Sequence, residues 1–274
     1  SRGLGDVYKR QVGPSAAILG RFTTNPGLVW SEYLAEYYGT GATSANQGGT
    51  NFAVGGARVG IGTSGALGPI PSMTAQLTSY LSANGGRADS RALYTVWGGA
   101  NDLFAITNAG ADPTTTIGAA VTAQVGIIGT LQNASARYIL VPTVPDLGVT
   151  PAFRAQGAAA SAAGTQLAAT YNTALFGALD TAGLRVIPLD TFTLLREIVA
   201  SPAEYGFGNV TGTACNPQIT ASSVTCSPLN YATPNAADVY AFADGVHPSS
   251  KAHGILSQYA VSVLEGPRQI ALLP

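Results

Sequence analysis

The sequence is poor in charge, in histidine and in long apolar runs, and each shortage excludes something. Charged residues make up only 10% of the 274 positions, and the formal net charge is -1. No basic or acidic surface for nucleic acid or anionic lipid is therefore indicated. No uninterrupted apolar run approaches the roughly 18 residues that span a bilayer. With 2 histidines in the chain, a mechanism based on imidazole has few candidates.

Cysteine is also scarce, and its placement is informative. The chain has 2 cysteines, Cys215 and Cys226, in a segment rich in Thr, Asn, Pro and Ser. A close pair in a polar loop indicates a disulfide and hence an oxidising compartment. Two free thiols are the alternative. A metal site has less support, because no histidine or further cysteine lies near the pair in the sequence.

What the sequence does contain is an alternation of short apolar runs with segments of helical period. The runs predict strands at Asn51–Val54, Leu93–Trp97, Arg137–Val141 and Arg185–Leu189. Apolar residues recur every three or four positions within Ile117–Leu131, Leu167–Leu179 and Ile255–Val263. Strands that alternate with helices predict an α/β fold with a parallel sheet covered on both faces. No repeat or linker interrupts this pattern, so we expect one domain.

The segment Asp244-Gly-Val-His247-Pro248 is the strongest candidate for chemistry. It lies just before a helix expected to begin near Ser249. An Asp at this spacing can accept the Nδ1 proton of His247 and leave Nε2 free as a general base. The alternative is an ordinary turn followed by a helix N-cap. His253 lies inside the following helix, where we expect a structural role.

A second candidate, Gly98-Gly-Ala-Asn101-Asp102, directly follows the strand predicted at Leu93–Trp97. Ligand sites of parallel α/β sheets lie beyond the carboxyl ends of strands. The side-chain NH2 of Asn101 could there face a developing oxyanion. The alternative is a glycine turn with Asn101 as the N-cap of a helix.

A third segment, Asn51–Ala57 (NFAVGGA), places paired glycines where backbone N–H groups can approach a ligand. Together NFAVGGA, GGAND and DGVHP resemble blocks II, III and V of the SGNH/GDSL hydrolase family. The resemblance covers nearly the whole chain from Val12, and several segments are especially similar to the esterase passenger domains of bacterial autotransporters. It implies a flavodoxin-like, three-layer α/β/α fold with a parallel sheet.

The resemblance also implies a function. Family members are serine esterases or lipases that act on small acyl esters or lipids without a metal or other cofactor. In their mechanism Asp244 would orient His247, while the Gly56 N–H and the Asn101 side chain would be oxyanion donors. The resemblance further implies a secreted or cell-surface protein, monomeric, with a possible C-terminal outer-membrane β-barrel in the full-length protein.

One part of the family pattern is missing. Block I is a Gly-Asp-Ser-Leu motif near the N-terminus, and counting back from Val12 without gaps places Gly3 at the serine position. We expect residues 1–11 to be non-native and residues 12–274 to form the hydrolase domain, because the resemblance stops before Val12. Asp6–Gln11 (DVYKRQ) also reads like one frame of an end sequence used in transposon-based library preparation. A natural pseudo-enzyme is the alternative.

We expect the first strand of the fold to be missing or replaced. The chain is expected to be inactive or nearly so in either case, since no acyl-enzyme forms without a nucleophile. Two further functions stay open. One is a non-catalytic surface passenger or carbohydrate-binding module on the same fold. The other is a metal-dependent hydrolase, although no recognised ligand spacing joins its candidate ligands Asp102, Asp146, Asp244 and His247.

Overall fold

The computed structural model describes residues 21–65 and 68–266. The strands in this part of the chain are β1 Thr63–Gly65, β2 Gly68–Ile70, β3 Leu93–Thr95, β4 Tyr138–Pro142, β5 Ile187–Leu189, β6 Asn209–Thr213 and β7 Tyr240–Phe242. The helices are α1 Trp30–Tyr37, α2 Met73–Ala83, α3 Ala100–Ala109, α4 Pro113–Asn133, α5 Pro151–Arg154, α6 Ala158–Thr181, α7 Thr191–Ala200, α8 Ala236–Val239 and α9 Ser250–Glu265. This alternation confirms the predicted α/β class.

The central sheet has the order β3–β4–β5, and both pairs are parallel. Strands β6 and β7 form a second parallel pair, and β1 and β2 form an antiparallel hairpin. A parallel pair cannot be closed by a tight turn, so each connection crosses the sheet through a helix. The sheet is therefore the parallel one that the sequence predicts. The first strand expected from the family pattern falls outside the described residues.

Strand β4 shows how the sheet is covered on both faces. Ile139 and Val141 pack in a core with helices α4 and α6, whereas Leu140 packs with α1 and α9 on the opposite face. Successive side chains of a strand point to opposite faces. Because both faces are buried, β4 is a continuous apolar run rather than an alternating one. The arrangement is a three-layer α/β/α sandwich.

Helix α4 has 21 residues and a window of mean hydropathy 1.3, so by length and composition alone it resembles a membrane span. Such a test also selects core helices. Its buried positions form one stripe, at Thr116, Ile117, Ala120, Val121, Gln124, Ile127, Ile128 and Leu131. A stripe of this kind is that of a helix packed on a sheet. Within it, Gln124 accepts a hydrogen bond of 2.6 Å from the Tyr171 hydroxyl.

The strand predicted at Asn51–Val54 is wrong. Asn51 makes one isolated bridge with Ser44, and the chain then enters a turn. The side chain of Asn51 accepts a hydrogen bond of 3.0 Å from the Ala53 N–H. This local bond takes a backbone donor that a sheet ladder would use, so an irregular conformation is favoured.

Candidate active site

The loop between β7 and α9 carries the Asp244–His247 pair. Nδ1 of His247 lies 2.9 Å from Oδ1 and 2.8 Å from Oδ2 of Asp244. The backbone N–H groups of Val246 and His247 donate to Oδ1 at 3.0 and 2.8 Å. An ionised carboxylate only accepts, so Nδ1 carries a hydrogen, and the neutral form of a ring held this way has its lone pair on Nε2. The His247 side chain is 37% exposed, so solvent and small molecules can reach the ring.

The environment of Asp244 keeps its carboxylate charged. Burial disfavours the charged form, but the hydrogen bonds and charge of His247 and a hydrogen bond from Ser223 outweigh it. The pKa of Asp244 is therefore held well below its usual value. The Ser223 N–H donates to Oδ2 at 2.8 Å. A carboxylate that stays negative at neutral pH can stabilise an imidazolium formed at His247.

An aromatic ring lies against the imidazole. Phe22 stacks on His247 with ring centroids 4.4 Å apart and an interplanar angle of 30°. Phe22 follows the first described residue, Arg21, and its position is secured by the next residues of the chain. Thr24 Oγ1 accepts a hydrogen bond of 2.9 Å from the Ser250 N–H at the start of α9. The imidazole is thus held by Asp244 at Nδ1 and by Phe22 on one ring face.

Gly56 lies in a tight turn. The Ala57 N–H donates to the Val54 carbonyl at 3.3 Å, which closes the turn over Val54–Ala57. Gly56 has φ +74°, as the third position of a type II turn requires, and glycine adopts that conformation without strain. The bond that closes the turn uses the N–H of Ala57, so the turn itself does not consume the Gly56 N–H.

The Asn101 side chain is directed at the same turn. Its Nδ2 donates to the Ala57 carbonyl at 3.0 Å. Helix α3 begins at Ala100 and its N-cap is Gly99, so the alternative in which Asn101 caps the helix is wrong. A primary amide has two N–H donors, and the bond to Ala57 uses one of them. The two predicted oxyanion donors, Gly56 and Asn101, therefore lie on adjoining segments.

Both pairs of residues adjoin segments that leave the carboxyl ends of strands in the central sheet. Asn101 follows β3, and α5 follows β4, the parallel neighbour of β3. Helix α5 contacts the Asp–His loop and helix α3: the Ala152 N–H donates to the Gly245 carbonyl at 2.9 Å, and Phe153 stacks on Phe104 of α3 with ring centroids 6.5 Å apart. The edge at which parallel strands end is where α/β folds bind ligands.

Comparison with known sequences identifies the family of the chain. The profile of the family described as GDSL-like Lipase/Acylhydrolase matches residues 6–260. The chain belongs to this family. The match includes Gly56, Asn101, Asp244 and His247. It begins within the segment 1–11, whose non-native origin stays a prediction.

Two of three similar curated proteins are named as a lipase or an esterase. The chain is 27% identical to Lipase 1 of Photorhabdus luminescens over 93% of its own length and 49% of the relative. It is 35% identical to an uncharacterized protein of the trpE-trpG intergenic region of Pseudomonas putida, over 70% of the chain and 32% of that protein. It is 36% identical to Esterase EstA of Pseudomonas aeruginosa, over 51% of the chain and 21% of the esterase. The chain spans less than half the length of these relatives.

The side chains considered for a metal-dependent mechanism are engaged by protein groups. Asp102 accepts hydrogen bonds from the Val59 N–H and from Arg58 Nε, both at 3.0 Å, and burial raises its pKa. Asp146 accepts from the Gly148 N–H at 2.9 Å and from Thr165 Oγ1 at 2.6 Å. Across residues 21–65 and 68–266, no group of three His, Cys, Asp or Glu side chains is placed to hold a metal ion. The metal-dependent alternative gains no support here.

The predicted cysteine pair is joined. Cys215 and Cys226 form a disulfide with Cα atoms 5.6 Å apart. Both cysteines are buried together with Ala243, and Tyr231 packs against them. Ala243 immediately precedes Asp244, so the disulfide lies next to the Asp–His loop.

Two contacts of the Asp–His pair were missed by sequence reasoning. Ser223 touches Asp244 through its backbone N–H, which every residue except proline possesses, so no residue type marks this position. Phe22 lies 225 positions from His247, and a single aromatic residue in a polar segment is not a signal. Gly3, the residue at the expected serine position, lies outside the described residues.

Proposed function

We propose that this domain is a carboxylic ester hydrolase of the Ser-His-Asp type. The observation that carries the proposal is the Asp244–His247 pair, in which the carboxylate holds Nδ1–H and leaves Nε2 available for proton transfer. Family membership and the names of two of the relatives, a lipase and an esterase, support an ester hydrolase.

In the proposed mechanism, His247 Nε2 takes the proton of a serine hydroxyl as the serine oxygen attacks the ester carbonyl. The carbonyl oxygen becomes an oxyanion, which the Gly56 N–H, the Asn101 side chain and the serine N–H stabilise. The bond to the alcohol breaks, and Nε2 returns the proton to the leaving oxygen. Water then attacks the acyl-enzyme as Nε2 takes one of its protons, and Nε2 passes that proton to the serine oxygen. The acid leaves and the serine hydroxyl is restored.

This chain has Gly3 where the family pattern places the serine. We therefore propose that it is inactive or nearly so, because no acyl-enzyme forms and only binding and oxyanion donors remain. The substrate class is a small acyl ester or a lipid, and no cofactor takes part. The disulfide supports a secreted or surface location. Attachment to a C-terminal outer-membrane barrel in the full-length protein rests on the family resemblance.

The test uses an aryl ester and a fluorophosphonate probe, which labels activated serines. The chain as it stands should give no labelling and no hydrolysis above background. A form with the gene's own leading segment and serine at position 3 should be labelled and active. In that form His247→Ala should lower kcat/KM by about 10³-fold or more, and Asn101→Ala by about 10²-fold.

Asn108→Ala is the matched control for Asn101→Ala, because Asn108 is exposed on the same helix. It should retain full activity. Hydrolysis that survives His247→Ala would show that the Asp–His pair is not the catalytic base. A well-folded, serine-bearing form with neither labelling nor hydrolysis would instead favour a non-catalytic binding module.

A further inference from the structure

The loop closed by the disulfide makes direct contact with the Asp244 carboxylate. Oδ1 of Asp244 is the acceptor for the N–H groups of Val246 and His247, which belong to the same turn. On Oδ2, the Ser223 N–H donates at 2.8 Å and lies beside the Nδ1 of His247. Ser223 is thus the donor to this carboxylate that comes from a different part of the chain.

The position of Ser223 is fixed from two sides. A single helical turn covers Ser223–Thr225, and Ser222 is its N-cap. The Ser223 carbonyl accepts a hydrogen bond of 2.8 Å from Asn25 Nδ2. The Asn25 carbonyl in turn accepts one of 2.6 Å from the Tyr231 hydroxyl. The loop therefore cannot move away from Asp244 without breaking buried hydrogen bonds.

The disulfide connects the segment that precedes Asp244 with the turn that contains Ser223. The Cys215 N–H donates to the Ala243 carbonyl at 2.9 Å, and Ala243 is the residue before Asp244. Cys226 follows the turn that contains Ser223. One cysteine is thus bound to the strand that leads to Asp244, and the other lies directly after the turn that donates to its carboxylate.

We propose that the Cys215–Cys226 loop is a positioning element for the Asp–His pair, acting through the main-chain N–H of Ser223. With Oδ2 held by this donor, the carboxylate keeps the orientation in which it binds Nδ1–H of His247, and the imidazole keeps the tautomer with Nε2 free. The inference rests on the proposed function for its catalytic meaning, but the tautomer is measurable in the chain as it stands.

The sharpest test deletes the main-chain N–H of Ser223. Ser223→Pro deletes this donor at the first position of a helical turn, where proline is tolerated. The preceding Ser222 has φ -126° and ψ 133°, the extended conformation that a following proline requires. Ser223→Ala is the matched control, because it removes the hydroxyl and keeps the N–H.

The readout is the ¹⁵N and downfield ¹H NMR signal of the His247 ring, which is easily assigned because the chain has 2 histidines. Wild type and Ser223→Ala should show a hydrogen-bonded Nδ1–H that exchanges slowly with water. Ser223→Pro should lose that signal and show a mixture of tautomers.

The double variant Cys215→Ala/Cys226→Ala should change in the same direction. Wild-type spectra from folded Ser223→Pro would overturn the proposal, and wild-type spectra from the double variant would overturn the role of the disulfide.

If Ser223→Pro does not fold, Asp244→Asn answers the same question, because the Ser223 amide proton should then move upfield and exchange faster. An unchanged Ser223 amide would overturn the proposal. In the serine-bearing form, Ser223→Pro should lower kcat with KM unchanged, by less than the roughly 10⁴-fold seen when a triad carboxylate is replaced. If Ser223→Pro changes the His247 tautomer but the serine-bearing form has no esterase activity, the proposed function is overturned and the positioning role is not.

Discussion

At the scale of single residues, the candidate site depends on how tightly one imidazole is held. Asp244 binds Nδ1 of His247, and Phe22 covers one face of the ring. A stacked aromatic pair contributes about 0.5–1.5 kcal/mol beyond the area it buries. This amount corresponds to a factor of roughly two to ten in a rate or equilibrium constant.

We therefore predict that Phe22→Ala exposes and loosens His247, whereas Phe22→Tyr, which keeps a ring, does not. Diethyl pyrocarbonate modification should be about two- to tenfold faster in Phe22→Ala. The assay reports on His247 because His253 is buried. Equal rates in wild type and Phe22→Ala would show that the stacked ring does not restrain the imidazole.

At the scale of elements, helix α3 has a glycine at each end, and the two glycines differ in what surrounds them. Gly99 is the N-cap with φ +104°, and Gly110 ends the helix with φ +67°. A Cβ on Gly99 would lie 2.5 Å from ring carbons of Tyr171, whereas a Cβ on Gly110 meets nothing within 4 Å. Gly99 lets the chain pass close to the buried ring of Tyr171, which places Asn101 at the first turn of the helix.

Alanine variants of Gly110 and Gly99 distinguish the cost of backbone strain from the cost of overpacking a side chain. Gly110→Ala should cost about 1–2 kcal/mol, the penalty of a left-handed residue. Gly99→Ala should cost about 2–5 kcal/mol, because overpacking against Tyr171 is added to backbone strain. Urea denaturation measures both values. Equal losses would mean that Tyr171 moves aside at little cost.

At the scale of the whole molecule, residues 22–25 are bound to distant parts of the chain. Asn25 bonds to Ser223, Thr24 bonds to Ser250, and Phe22 stacks on His247. His253, on α9, is buried beside the same segment. Burial lowers the pKa of His253 to about 3, the backbone of Phe22 partly opposes this shift, and the charge of His247 adds to it.

A buried histidine of this kind makes global stability depend on pH. The pKa of His253 falls from its ordinary 6.5 to about 3 on folding, so between these values the unfolded chain binds the extra proton. Stability should therefore decrease as pH falls through this range, by at most about 1.4 kcal/mol per unit. His253→Gln should flatten the slope of unfolding free energy between pH 6.5 and 4.5, where Asp244 stays ionised in the folded protein. Parallel curves for the variant and wild type would contradict this assignment.

Much of the molecule followed from local sequence. Burial on both faces of a sheet leaves a short continuous apolar run, which predicted β3, β4 and β5. Burial along one stripe of a helix leaves apolar residues at every third or fourth position, which predicted α4, α6 and α9. The Asp–His pair and the disulfide were predicted for a related reason: their partners lie close together in the chain, and their side chains are chemically distinctive. The strand predicted at Asn51–Val54 failed because a hydrogen bond from the Ala53 N–H to the Asn51 side chain and a turn at Gly56 outweighed a short apolar run.

Tertiary structure alone decided what surrounds that pair. Besides the Val246 and His247 N–H groups of their own turn, Asp244 and His247 are held by the main-chain N–H of Ser223 and by the ring of Phe22. Ser223 and Phe22 come from other parts of the chain. The bond from Asn101 to Ala57, which brings two motifs side by side, likewise depends on how α3 leaves the sheet. Side-chain chemistry can be read along a sequence, but backbone donors and long-range stacking have no local signature. These contacts form only when the burial of apolar side chains brings distant segments of the chain together.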